Sequence, residues 1–197
     1  MLIRETFATK VNEKIEPIVK VADRKPSVVY GELVNLIVTP QWERYIRRVF
    51  DAYVDAIDRE NEQGIGIWIS GFFGSGKSLL MKILGVLLAG GLLNGKSIDE
   101  LFLGRLPADS QERADIQRLL AVLRRRVTTT AVGGNLHSML TSDNDRLPLI
   151  VFKLFAEQRG YTHNWPFAWT VEYQIDEQGQ SERFRSEATA RTGCWRN

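Results

Sequence analysis

The chain has 197 residues, 44% of them hydrophobic, and its 26 basic and 24 acidic side chains leave a formal charge of +2. That length accommodates one α/β domain with an extension, and a charge so balanced gives no global argument for a nucleic-acid or membrane partner. The single cysteine, Cys194, excludes an intramolecular disulfide framework, and His137 and His163 fall in no metal-ligand spacing, so no metal other than Mg²⁺ is expected.

Residues 1 to about 35 are mixed and polar. Val28, Val29, Leu33 and Val34 mark a short element that leads to Leu36-Ile37-Val38. No apolar core of signal-peptide length follows Met1. Thr39-Pro40 then reads as N-cap and first helical residue. Behind it Trp42, Tyr45, Ile46, Val49, Phe50, Tyr53, Val54 and Ile57 share one helical face, with Arg44, Arg47, Arg48, Asp51 and Asp55 mainly off it. An aromatic stripe of this kind is expected to be core. Asn61 to Gly64 reads as a turn.

Ile65, Ile67, Trp68 and Ile69 predict a short buried strand. Gly71-Phe72-Phe73-Gly74-Ser75-Gly76-Lys77-Ser78 follows and fits G-x-x-x-x-G-K-[ST] at every fixed position. Leu79, Leu80, Ile83, Leu84, Leu87 and Leu88 then recur at helical spacing up to Gly90-Gly91. A triphosphate needs many donors and no bulky wall. Glycines at 71, 74 and 76 let the backbone form a nest of N–H groups, and the helix start adds unpaired N–H groups and the positive dipole end. Lys77 is the candidate catalytic residue, reaching the β- and γ-phosphates as a point charge. Ser78 is the candidate Mg²⁺ ligand through its hydroxyl. Phe72 and Phe73 belong to the loop and are expected to pack beneath it or against a neighbouring element. The Leu79 to Leu93 stretch is too short to span a bilayer and carries Lys82. Together with the missing signal peptide, this points to the cytoplasm.

Further along, a helical piece is expected around Ile98 to Leu103, and Asp109 with Glu112 has capping-box spacing. Ile116, Leu119, Leu120 and Leu123 continue that helix to Arg124-Arg125-Arg126, read as a helix end, with a DNA or partner contact as the alternative. Val127 to Val132 predicts the next strand. Ser142 to Asp145 reads as a turn, and Leu149 to Phe155 as a helix ending at Gly160. The alternation argues for an α/β fold: a P-loop NTPase-type parallel sheet, incomplete, behind a helical N-terminal lead-in. The implied division is a helical extension over 1–62, a partial NTPase domain over 63–184, and an aberrant or disordered tail over 185–197.

A hydrolytic site also needs an acid at the end of a second strand. Asp176 and Glu177 are the candidates. Trp169, Val171, Tyr173 and Ile175 alternate like a strand before them, but Glu172 and Gln174 interrupt the run and the segment equally reads as a helix. Asn-Lys-x-Asp is absent, so ATP is preferred over GTP, and no arginine is positioned as a finger. Two strands are few for such a sheet, and the polar ending lacks periodicity. The chain therefore reads as a fragment, truncated or frameshifted near its end.

Residues from about 1 to 184 resemble the N-terminal part of the large P-loop ATPase of BREX phage-defence systems (the BrxC and PglY group). The stretches that carry this are Met1-Leu2-Ile3-Arg4-Glu5-Thr6-Phe7, Glu32 to Thr39 with the aromatic helix to Glu60, Gly66 to Ser78, and Phe152 to Tyr161. Ser-Gly-Phe-Phe-Gly-Ser-Gly-Lys-Ser is far more specific than a bare phosphate-loop match; Leu79 departs from the histidine that relatives often carry. The resemblance implies ATP and Mg²⁺ binding, hydrolysis by the full-length protein, and assembly with other BREX components, with DNA a further candidate partner and no membrane. It places Glu172, Ile175 and Gly179 in a helix and turn and the acidic strand beyond residue 197. The competing readings are a nucleotide-switched protein or DNA interaction module and, ranked last, a small-molecule kinase.

Overall fold

The computed structural model describes residues 18–59, 64–140, 146–162 and 165–193. The opening Met1 to Phe7, the turn residues 61–63 and Ser142 to Asp145, His163, and the terminal Cys194 to Asn197 lie outside them. The chain divides into two compact units, Met1–Thr128 and Thr129–Asn197.

The first unit is helical. Helix α1 spans Pro26–Val34 and buries Val29 and Leu33. Helix α2, Pro40–Asp58, starts where the sequence places it: Thr39 is the N-cap, its hydroxyl accepting from the Trp42 N–H at 3.3 Å, and Pro40 is the first helical residue. The inner face of α2 carries Ile46 and Phe50, both inaccessible to solvent. Helix α3, Lys77–Ala89, packs Ile83 and Leu87 into the same core and stops at Gly90.

A two-residue hairpin follows, β1 (Leu92–Leu93) and β2 (Lys96–Ser97), antiparallel with Leu92 opposite Ser97. Its turn is Asn94-Gly95, with φ of 49° and 77°, the doubly left-handed conformation that Asn-Gly adopts at low cost. Ser97 then caps helix α4, Ile98–Leu103. The serine hydroxyl accepts from the Glu100 N–H at 3.1 Å, and the Glu100 carboxylate accepts from the Ser97 N–H at 3.1 Å. Helix α5, Arg113–Arg126, closes the core with Ile116, Leu119, Leu120 and Leu123. Its start is not the Asp109–Glu112 capping box that the spacing suggests. Ser110 accepts from the Arg113 N–H at 3.1 Å and donates to the buried Glu43 of α2, which draws the cap function to Ser110.

The second unit holds a 3₁₀ turn, Leu136–Met139, and helices α6 (Leu147–Gln158), α7 (Pro166–Glu177) and α8 (Ser181–Thr192). Ile150, Leu154, Ala156 and Tyr161 are buried. Phe152 meets Trp169 edge-on with centroids 4.6 Å apart, and Trp169 stacks on Tyr173 at 5.6 Å. Helix α8 buries no residue.

The expected α/β architecture is corrected by this arrangement. Among the described residues there are eight α-helices, about 60% helix, one small antiparallel hairpin and no parallel sheet. Residues 64–70 and 128–135 are extended or irregular and enter no ladder. Each carries strand-forming residue types, but a strand exists only as a pair and parallel pairs need a covered neighbour on both faces. The second of these runs also contains the boundary between the two units. Trp169 to Ile175 is helical, inside α7.

Candidate functional site

The glycine-rich octet bridges an extended segment and helix α3. Ile69 packs against the core, whereas Ile67 is half exposed and Trp68 is 91% exposed. The loop turns through a hydrogen bond from the Ser75 N–H to the Phe72 carbonyl at 3.2 Å. Gly74 has φ of 79°. Gly76, at φ 81° and ψ 11°, is the left-handed N-cap of α3. Because the cap is a glycine, no side chain occupies the first-turn N–H groups of α3, and the helix start faces the loop as an anion-binding end.

Lys77 lies back over the loop. Its ammonium donates to the Phe72 carbonyl at 2.6 Å and approaches the Ser75 hydroxyl at 3.4 Å. It forms no ion pair among the described residues, and its polar partners there are the Phe72 carbonyl and the Ser75 hydroxyl. Ser78 is exposed beside it on the first turn. Gly71, Gly74, Ser75, Gly76, Lys77 and Ser78 are therefore brought together as the spacing requires. Phe72 and Phe73 do not pack as expected: Phe72 is 91% exposed and Phe73 fully so. No described residue of this unit covers either ring.

Gly76 also touches a residue that the sequence assigned only to the core stripe. A Cβ built on Gly76 would stand 2.9 Å from Cζ2 of Trp42. Trp42 sits far upstream, and no local spacing connects it with the loop.

The candidate acids have other partners. Asp176 accepts from the Tyr161 hydroxyl and from the Ser181 hydroxyl at 2.7 Å, and Glu177 accepts from the Tyr173 hydroxyl at 2.6 Å. The Tyr161 hydrogen bond, then that of Ser181, holds the Asp176 carboxyl below the usual carboxylate range. Burial, then the bond to Asp176, pushes the Tyr161 phenol up; the bond to Glu177 does the same to Tyr173. These carboxylates serve the internal hydrogen bonding of the second unit. No group of three or more metal-ligating side chains occurs among the described residues.

The arginine triplet is largely engaged within the chain. Arg124 donates to the Leu88 carbonyl at 2.9 Å, to that of Leu87, and to Asp99 at 2.7 and 3.1 Å. It closes the end of α3. Arg126 pairs with Asp58. A groove of about 440 Å³ between α1, β2 and α4, lined by Val34, Lys96, Glu100, Leu101, Gly104 and Arg105, includes no loop residue.

No protein-family model and no solved structure matches this chain. No helix among the described residues is long and apolar enough to cross a membrane.

Proposed function

We propose that the chain binds Mg·ATP at Gly71 to Ser78, as the nucleotide-binding part of a BREX-type phage-defence ATPase whose full-length form hydrolyses ATP. The observation that carries the nucleotide reading is the loop itself. A left-handed glycine N-cap opens α3 with its first-turn N–H groups uncapped by side chains, and Lys77 lies across the same loop. Loop N–H groups and the α3 start would hold phosphate oxygens. Lys77 would exchange the Phe72 carbonyl for the β- and γ-phosphates, and Ser78 would ligate the metal ion. The BREX assignment rests on the sequence resemblance.

Fluorescent-nucleotide titration of wild type and Lys77→Ala tests this. Saturable binding that Lys77→Ala weakens strongly is expected; equal binding by both proteins overturns the reading.

Exposure of Trp68, Phe72 and Phe73 around the loop favours a second reading, a nucleotide-switched interaction module. With Arg124 and Arg126 engaged internally, a protein partner suits that surface better than DNA. Salt-dependent DNA binding that survives Lys77→Ala would favour DNA instead.

A further inference from the structure

We infer that Trp42 is a positioning residue for the phosphate loop: its indole is the wall against which the Gly76 hinge is set. The regulatory part of the inference, that helix α2 tunes nucleotide affinity, rests on the Mg·ATP reading above; the positioning part does not.

The contact is close. The six-membered edge of the indole meets Gly76 at its Cα, since an added Cβ would lie 2.9 Å from Cζ2 and 3.6 Å from Cη2. Gly76 is also the one residue through which the loop turns into α3, at a left-handed φ of 81°. Its glycine is therefore required twice, by conformation and by the indole.

The wall is itself rigid. The Trp42 N–H is held by the Thr39 cap, and the ring packs on the core cluster. The next residue, Glu43, is buried and accepts from Ser110. One turn further on, Ile46 is inaccessible and Arg47 meets Glu112, the residue before α5, at 2.6 Å. Shifting the indole would mean shifting the α2–α5 contact, the most extensive between helices of this unit.

The other hydrogen bonds of the loop are local, from the Ser75 N–H and the Lys77 ammonium to the Phe72 carbonyl. Residues 71–75 are exposed and the segment before them enters no ladder. A nest of N–H groups binds an anion well only if its donors already converge; otherwise binding must also order them. Trp42 supplies that order at the hinge, and through it the helical segment upstream is coupled to the anion site.

The test uses wild type, Trp42→Ala, Trp42→Phe and, as a control on the same helix, Tyr45→Ala, whose ring is part exposed. Backbone amide shifts and ¹⁵N relaxation of Gly74, Gly76 and Lys77 are read by NMR without nucleotide, with far-UV CD confirming equal helix content. Trp42→Ala should shift these signals and lower the order parameters of the three amides below those of the α3 interior, Trp42→Phe should recover much of the order, and Tyr45→Ala should leave both unchanged. Loop signals identical in Trp42→Ala and wild type overturn the inference. If Trp42→Ala fails to fold, Trp42→Phe decides: loop amides unaltered by the smaller ring are equally fatal. Mg·ATP titration of the same set should show about tenfold weaker binding by Trp42→Ala. Wild type that binds no Mg·ATP sinks the functional reading while the apo amide signals still judge Trp42. Wild type and Trp42→Ala that bind equally sink the coupling alone.

Discussion

Lys82 of α3 and Glu32 of α1 form a bidentate ion pair, with the ammonium inaccessible to solvent and its two N–O distances 2.8 and 2.7 Å. Lys82 lies on the same helix as Lys77 but on its core side, so one helix presents one lysine to the loop and one to the protein interior. Breaking a buried pair leaves an uncompensated charge, whereas replacing both partners by apolar groups can be neutral. Glu32→Gln and Lys82→Ala should each lower unfolding free energy by roughly 3 kcal/mol, and Lys82→Met with Glu32→Leu should recover most of it. Urea denaturation of the three variants checks this; a double variant no better than the singles would show that shape rather than charge sets the cost.

Arg124 terminates α3 from a different helix. Its guanidinium reaches two carbonyls of the last turn and the Asp99 carboxylate together. A cation there also meets the negative end of the α3 dipole. Arg124→Ala should destabilise by about 1–3 kcal/mol, and Arg124→Lys should restore little, because a point charge cannot make the planar fork. Thermal melts and amide exchange at Leu88 to Gly90 provide the readout. A lysine variant as stable as wild type would refute the fork argument.

Helix boundaries were legible where the signal is local. Thr39-Pro40 opens α2 and Gly90 closes α3, each from a cap or breaker acting on its own turn, and α5 ends at the arginine triplet although Arg124 and Arg126 are held by other elements. The two-residue hairpin at Asn94-Gly95 also carries a local signal, the dipeptide itself. The parallel sheet failed for a non-local reason. Ile65 to Ile69 and Val127 to Val132 have strand composition, yet pairing depends on neighbours that composition cannot announce. Capping-box spacing occurred twice; Ser97–Glu100 uses it, whereas near α5 the distant Glu43 recruits Ser110 instead. At the candidate site the loop residues were legible as a motif, but Trp42 was not, since its contact with Gly76 joins separate elements.

Trp68 and Phe73 are exposed, so neither holds the unit together. Trp68→Ser with Phe73→Ser should leave unfolding free energy within about 0.5 kcal/mol of wild type. Fluorescence of a hydrophobic dye should fall at the same time, because the accessible aromatic surface is removed. A loss of stability well beyond that range would mean that these rings are buried in solution.

The Tyr161–Asp176 bond makes the second unit pH-sensitive at both ends. Asp176 titrates lower folded than unfolded, chiefly because of Tyr161 and next because of Ser181. Its contribution is therefore present above the ordinary carboxylate pKa of about 3.9 and is lost as pH falls through the lowered folded value. Tyr161 titrates higher folded than unfolded, through burial first and the Asp176 bond second. Its contribution is complete below about pH 10 and is lost as pH rises through the raised folded value. Tyr161→Phe removes the donor and keeps the ring. It should move the Asp176 carboxyl back up toward the ordinary range, leaving Ser181 as its remaining hydroxyl donor. Carboxyl ¹³C titration of Asp176 in wild type and Tyr161→Phe measures this directly. An unchanged Asp176 titration would show that the phenol does not donate to that carboxylate in solution.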